Sequence, residues 1–446
     1  MSWVWYVVAG VLIVVFLVLP TWIRVAWKER KARKAQAAAR EAGRHEPPSI
    51  RPWVDPAKCM GSGACVAACP EKNVIAIIDG RVDIVNGSSC VGHGACAAAC
   101  PVNAIELVFG SEKRGIDIPE VSPRFESNVP GLFIAGELGG MGLIANAVEQ
   151  GAQAARNASI GLQKGLGGDV VDVVVVGAGP AGISAALSLL DKGRSYALLD
   201  QDEFGGAIRH YPRRKLVMTR PMELAGYGAV RMRSARKEEL VELLEDVVRK
   251  TGLVVSGRER VDSVSKGADG VFTVQTSKRA LRAQRVLLTI GRRGTPRRLN
   301  VPGEELDKVA YRLIDAESFQ DCHVLVVGGG DSALEAAVAL AEQPGNRVTL
   351  SYRKKELSRP KADNVTRLQA AVDAGTVTLA LGTHVARIAL DRVELTGEAG
   401  PHEIANDFVF VFAGGVLPTK FLQAAGITIQ THHGKRVVSY ADGSPA

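Results

Sequence analysis

DVVDVVVVGAGPAGISAALSLLDKGRSYALLDQ, residues 169–201, sets a valine run before a glycine-rich turn, a helical stretch and a second apolar run ending in acid. Gly177, Gly179 and Gly182 have G-x-G-x-x-G spacing, and Asp200 closes the second run. Between a strand and a helix, such a turn brings the backbone to a pyrophosphate and the helix N-terminus stabilises its charge. The acid then stands at ribose-hydroxyl distance. The glycines alone are a weak signal; their place between strand, helix and acid makes a dinucleotide site.

A second unit follows in CHVLVVGGGDSALEAAVALAEQPGNRVTLSYRKKEL, residues 322–357. Gly328, Gly330 and Ala333 form G-x-G-x-x-A, and no acid ends the second strand. The strand runs instead into Ser351, Arg353, Lys354 and Lys355, which suit the 2′-phosphate of NADP. A solvated basic turn is the other reading of these charges.

Two such units, joined through VLLTIGRRGTPRRLNVPGEE (286–305), resemble the two-dinucleotide flavoproteins of the thioredoxin-reductase-like family. GGAIRHYPRRKLVMT (205–219) is similar to that family's segment near the flavin, and FVFVFAGGVLPTKFL (408–422) to its return from the nicotinamide domain. The resemblance covers about residues 115–435. It implies FAD on the first unit and NADPH on the second. Two departures stand out. The family's C-x-x-C is missing, and Cys322 is the one cysteine of the nicotinamide unit. The family's closing V-P-G-L-F-x-A-G-D segment is absent at the end of the chain, yet NVPGLFIAGELGGMGLIANAVEQGAQAARNAS (128–159) precedes the first unit. A circular permutation accounts for this: Gly136 and Glu137 complete the FAD site, and GLQKGLGGD (161–169) links the moved segment to the first strand.

Six of the seven cysteines lie in CMGSGACVAACP (59–70) and its echo CVGHGACAAACP (90–101). Both resemble the cluster loops of bacterial two-cluster ferredoxins, with Ser62 and His93 where a fourth cysteine is usual. That resemblance implies crossed ligation: Cys59, Cys65 and Cys100 for one cluster, Cys90, Cys96 and Cys69 for the other. Three thiolates suit a 3Fe-4S cluster, or a 4Fe-4S cluster whose remaining iron takes Ser62, His93 or water. His93 reads equally as a solvated surface residue. Zinc is the rival metal, but its sites use short C-x2-4-C pairs.

WVWYVVAGVLIVVFLVLPTWI (3–23) carries no charge and has tryptophans at both ends. About 20 apolar residues span a bilayer. A cleaved signal peptide, the alternative, calls for a basic n-region that Met1 and Ser2 do not supply. Residues 24–44 hold eight Lys/Arg and two Glu, a net of +6 in a chain of net +8. So lopsided a charge argues against nucleic acid binding and for a membrane-side collar. The positive-inside bias predicts a single-pass inner-membrane protein with its N-terminus outside and its body in the cytoplasm.

The expected architecture is α/β, with two Rossmann-like domains for FAD and NADP, an α+β ferredoxin-like domain and one transmembrane helix. The boundaries are an anchor (1–27), a basic helical stalk or linker (28–52), the iron–sulfur domain (53–110), the permuted closing segment (111–165), the FAD domain (166–290), the NAD(P) domain (291–415) and a return segment with tail (416–446). The expected function is flow of electrons from NADPH through FAD to two clusters and an unknown acceptor, protein or quinone, or the reverse. No catalytic side chain is named, and a homodimer is left open. A sensor or scaffold that keeps the cofactors is the rival; intact turns in both units count against it.

Overall fold

The computed structural model describes residues 3–45, 50–71, 73–90, 92, 94–110, 115–139, 142–163, 169–232, 234–292, 295–398 and 400–436. His93 and most of the expected link, 164–168, lie outside them. The chain forms two compact units, residues 1–111 and 112–446.

The first unit begins with one continuous helix. Trp3–Ile13 is α-helical, Val14–Val18 is a π turn and Leu19–Glu41 is α-helical again. The π turn has a local cause. Pro20 lacks an N–H and its ring crowds the carbonyl four residues back, that of Phe16, so the turn holding Phe16 widens. Large apolar side chains from Trp3 to Trp27 are exposed, and the helix is long and apolar enough to cross a membrane.

Beyond Lys28 the helix is no loose stalk, because it packs on a β-hairpin. Gln36, buried, donates from Nε2 to Asp83 Oδ2 and to the Ile84 carbonyl, both at 2.8 Å. Ala39 is buried, the Asp79 amide donates to Glu29 Oε1 at 2.9 Å, and Arg33 pairs with both Glu29 and Asp79. The hairpin strands are Ile75–Ile78 and Arg81–Ile84. Its turn residues Asp79 (φ 53°) and Gly80 (φ 72°) are both left-handed, as a type I′ turn requires. Strand Ile50–Val54 pairs antiparallel with Ile105–Phe109. The short helices Ala64–Ala68 and Ala95–Ala98 lie within the two cysteine loops and carry Cys65 and Cys96.

The second unit is mixed α/β. Its first sheet runs in the order Val261–Lys266, Phe272–Thr276, Ala280–Leu288, Val170–Val176 and Tyr196–Leu199. The last three strands are parallel, and Leu132–Ile134 adds in parallel against residues 286–288. Val173, Val174 and Val175 are wholly buried, which explains an unbroken valine run where a half-exposed strand would alternate. Helix Pro180–Asp191 packs against helix Ile144–Ala158, and Ser184 Oγ donates to the Val148 carbonyl at 2.7 Å. Gly151 makes the approach possible, since a Cβ there would overlap the Ala181 carbonyl.

A second parallel sheet has the order Val309–Ala310, Phe408–Val411, His323–Val327, Arg347–Tyr352 and Val377–Leu381. Strand Ile116–Pro119 pairs antiparallel with Ile429–His432, placing His432 opposite Ile116. Asn128 extends the seam: its Nδ2 donates to the Gly426 carbonyl at 2.8 Å and its Oδ1 accepts from the Thr428 amide at 2.9 Å.

Replacing Gly151 by Ala forces the two helices apart. Overpacking of this kind costs about 1–3 kcal/mol. Gly139→Ala, with open space around the added carbon, should leave the thermal midpoint unchanged while Gly151→Ala lowers it. Equal midpoints would show that the helices do not meet through Gly151.

Candidate functional site

The first glycine turn is built by exclusion. Gly177 has φ 103°, and a Cβ there would stand 2.7 Å from the Thr289 carbonyl oxygen. A Cβ on Gly182 would run into the Gly177 carbonyl. Gly179 is the N-cap of helix Pro180–Asp191 and faces Gly206, whose own Cβ would lie 3.0 Å from the Gly179 Cα. Gly205 donates its amide to the Ala178 carbonyl at 2.7 Å, so the 205–206 loop closes over the turn. Asp200 ends the second strand there. Its carboxylate accepts from the Ala178 amide at 2.6 Å and the Asp202 amide at 2.9 Å, and burial raises its pKa above the ordinary value. Each carboxylate oxygen can accept more than one donor, so these bonds fix the acid and leave capacity for ribose hydroxyls.

Gly136 and Glu137 reach the same place from a distant part of the chain. Gly136 (φ 81°) donates its amide to Gln150 Oε1 at 2.9 Å, and a Cβ on it would lie 3.0 Å from Ala181 Cβ, within the Gly177–Gly182 turn. Glu137 sits in the 3-10 turn Gly136–Gly139. Sequence reasoning missed the cation beside it. Arg292 donates to the Asp117 carbonyl at 2.9 Å; burial lowers its pKa, and the Glu137 and Asp117 charges oppose that shift. The signal was a basic pair just past a strand end, in the GRR of residues 291–293.

The second turn is similar in build and different in detail. At Gly328 (φ 149°) a Cβ would meet the Phe412 carbonyl oxygen at 2.6 Å and the buried Ala333 Cβ at 3.1 Å. Gly330, the N-cap of helix Asp331–Ala341, has open space where a Cβ would point. The Tyr352 ring lies against Gly329. Arg353 and Lys354 are exposed at the end of the second strand. Ser351 corrects the sequence expectation: it is wholly buried and its hydroxyl bonds Thr383 Oγ1 at 2.9 Å, so it does not face a nucleotide. The strand is covered on both sides, and a polar residue facing inward found a partner there.

In the first unit the six loop cysteines share one apolar cluster. Cys65 feels the charges of Cys100 and Cys59, whereas Cys96 feels those of Cys90 and Cys69. Each buried thiol thus has one neighbour from the other loop, Cys100 for Cys65 and Cys69 for Cys96. Burial, with Cys90 and Cys69 adding to it, pushes the Cys96 thiol up to about 12. Such a pocket opposes bare thiolates. Among the described residues no three His, Cys, Asp or Glu come close enough to hold a single ion. The Val82 amide donates to Cys59 Sγ at 3.5 Å and the Ala104 amide to Cys100 Sγ at 3.2 Å. Ser62 is exposed.

Comparison with known proteins agrees with this geometry. Residues 174–444, more than half the chain, match the family model for pyridine nucleotide-disulphide oxidoreductases, and residues 51–101 match that for a 4Fe-4S dicluster domain. The chain is 28% identical to bacilliredoxin reductase Bdr of Bacillus subtilis over 267 residues, 59% of this chain and 82% of that one. It is 30% identical to a ferredoxin–NADP reductase of Paraburkholderia xenovorans over 277 residues, 60% of this chain and 74% of that one. The solved structure of bacillithiol disulfide reductase Bdr from Bacillus cereus superposes with a TM-score of 0.54 at 29% identity, covering 60% of this chain and 85% of that one.

If each triad holds a cluster of three or four irons, the intact chain should carry about six to eight irons with matching sulfide. Cys65→Ala should lose about half of the iron and leave flavin content unchanged. One zinc and no acid-labile sulfide on analysis would refute the assignment.

Proposed function

Because the chain belongs to the pyridine nucleotide-disulphide oxidoreductase family, as an FAD-dependent NAD(P)H oxidoreductase with a 4Fe-4S dicluster domain, we propose that it is a membrane-anchored enzyme joining NADPH to a separate electron acceptor. Electrons pass through FAD and two clusters, in this direction or in reverse. The observation that supports this best is the clustering of all six loop cysteines in a chain with two glycine turns. FAD takes a hydride as an electron pair and can release it singly, which one-electron clusters require.

The residues divide the work by position. Gly177, Gly179 and Gly182 cradle the FAD pyrophosphate, Asp200 its ribose, and Gly136 with Glu137 the side nearer the flavin. Gly328, Gly330 and Ala333 receive NADPH, with Arg353 and Lys354 on its 2′-phosphate. We read the two parallel sheets as two Rossmann-like domains and the leading segment as a circular permutation. The seam between Ile116–Pro119 and Ile429–His432 supports that reading: a turn joining His432 to Ile116 would restore the order seen in thioredoxin reductases. Disulfide reduction by a protein dithiol is not part of the proposal. Cys322 is the one cysteine outside the cluster loops, and its Sγ donates to the Gln320 carbonyl at 2.9 Å.

The relatives named ferredoxin–NADP reductase suggest a ferredoxin-like carrier, and here such a module is part of the same chain. The acceptor then lies beyond it, a second protein or a quinone. The uncharged span with its basic collar supports an inner-membrane location with the body in the cytoplasm.

Anaerobic titration with NADPH, followed by optical and EPR spectra, tests the whole path. Flavin bleaching with no cluster signal would break it at the module. Removing both charges in Arg353→Ala/Lys354→Ala should raise the Kd for NADPH by about tenfold or more and move that for NADH little. An unchanged ratio would remove these residues from the site.

A further inference from the structure

The hairpin and the N-terminal helix run side by side. From Glu29 to Gln36 the helix rises about 10 Å, while the strand from Asp79 to Ile84 extends about 16 Å beside it. The contacts Glu29–Asp79 and Gln36–Asp83 fix the direction, with the hairpin tip toward the apolar span. Glu29 is two residues past Trp27, about 3 Å of helix rise. The tip therefore lies level with the last interfacial tryptophan. Lys31 stands over that Trp27 ring at 5.6 Å.

The two cysteine loops attach at opposite ends of this contact. Gly61 packs so closely on the tip that a Cβ there would overlap the Gly80 carbonyl, and Cys59 Sγ accepts from the Val82 amide. Met60, between them in the chain, is 66% exposed, and Arg81 is exposed beside it. The second loop attaches past the far end of the helix, where the Ser88 amide donates to the Arg44 carbonyl at 2.9 Å, two residues before Cys90. Glu29 and Glu41 alone are about 18 Å apart along the helix.

Resting on the membrane-anchor reading, we propose that Met60, Arg81 and the tip of the hairpin form a contact surface for lipid headgroups. The helix holds them there, so that Cys59, Cys65 and Cys100 are the membrane-side triad and Cys69, Cys90 and Cys96 the outer one. The chemistry fits phospholipid: an exposed thioether and an exposed arginine on a module joined to an uncharged span and a collar of net +6.

Lipid photocrosslinking tests this in the full-length, iron-loaded protein reconstituted in phospholipid vesicles. A benzophenone side chain replaces Met60, Arg81, Trp27 or His45 one at a time, and iron content confirms an intact module. Positions 27, 60 and 81 should give lipid adducts and exposed position 45 none. Position 81 stands in if the substitution at 60 prevents folding. Undocking the hairpin with Glu29→Ala/Gln36→Ala should abolish adducts at 60 and keep those at 27. Adducts at 27 without any at 60 or 81, or equal adducts at 45, would overturn the proposal and leave the anchor standing. No adduct at 27 would overturn both.

Discussion

Three residues of parallel ladder, Leu132–Ile134 against residues 286–288, hold the first dinucleotide site together. The ladder places Gly136 just past a strand end, level with the glycine turn that follows Val170–Val176 on the far side of Ala280–Leu288. The Gln150 bond to the Gly136 amide ties this strand end to helix Ile144–Ala158, which packs directly on helix Pro180–Asp191. All three ladder residues are buried, so the hydrophobic effect and the backbone bonds act on the same short segment. Loss of any one would release the others.

The cysteine loops obey a different constraint. The small helix within each loop starts from a left-handed glycine, Gly63 (φ 75°) or Gly94 (φ 76°), which turns the chain sharply. On the proposed crossed ligation the third thiol of each triad comes from the other loop, so neither loop would hold its own cluster alone. Ser62, where the first loop lacks a cysteine, is exposed.

What the sequence revealed was local geometry. The spacing of Gly177 and Gly182 is legible because each glycine answers a clash within a few residues or across one strand. The Asp79 and Gly80 turn is legible for another local reason, since both residues are left-handed. Ser351 was not, since a strand covered on both faces hides which way its polar residue points. Arg292 was not, because its neighbour Glu137 stands more than 150 residues earlier and only the sheet brings them together. The docking of the helix on the hairpin was hidden too: Gln36 and Ala39 sit in a charged stretch that reads as solvated.

The seam between Ile116–Pro119 and Ile429–His432 also has a consequence for synthesis. Thr431 Oγ1 donates to Asp117 Oδ1 across 314 positions of the chain. At about 5–20 residues per second, a ribosome needs on the order of 15–60 s to make the partner of a strand already emerged. All contacts within residues 1–111 close long before that. The segment from residue 115 to 160 waits, with apolar strand Leu132–Ile134 unpaired, first for residues 286–288 and then for the chain's end. Nascent chains are thus exposed to misassociation for an interval set by the order of the segments, and helpers that shield unpaired strands would act in that window.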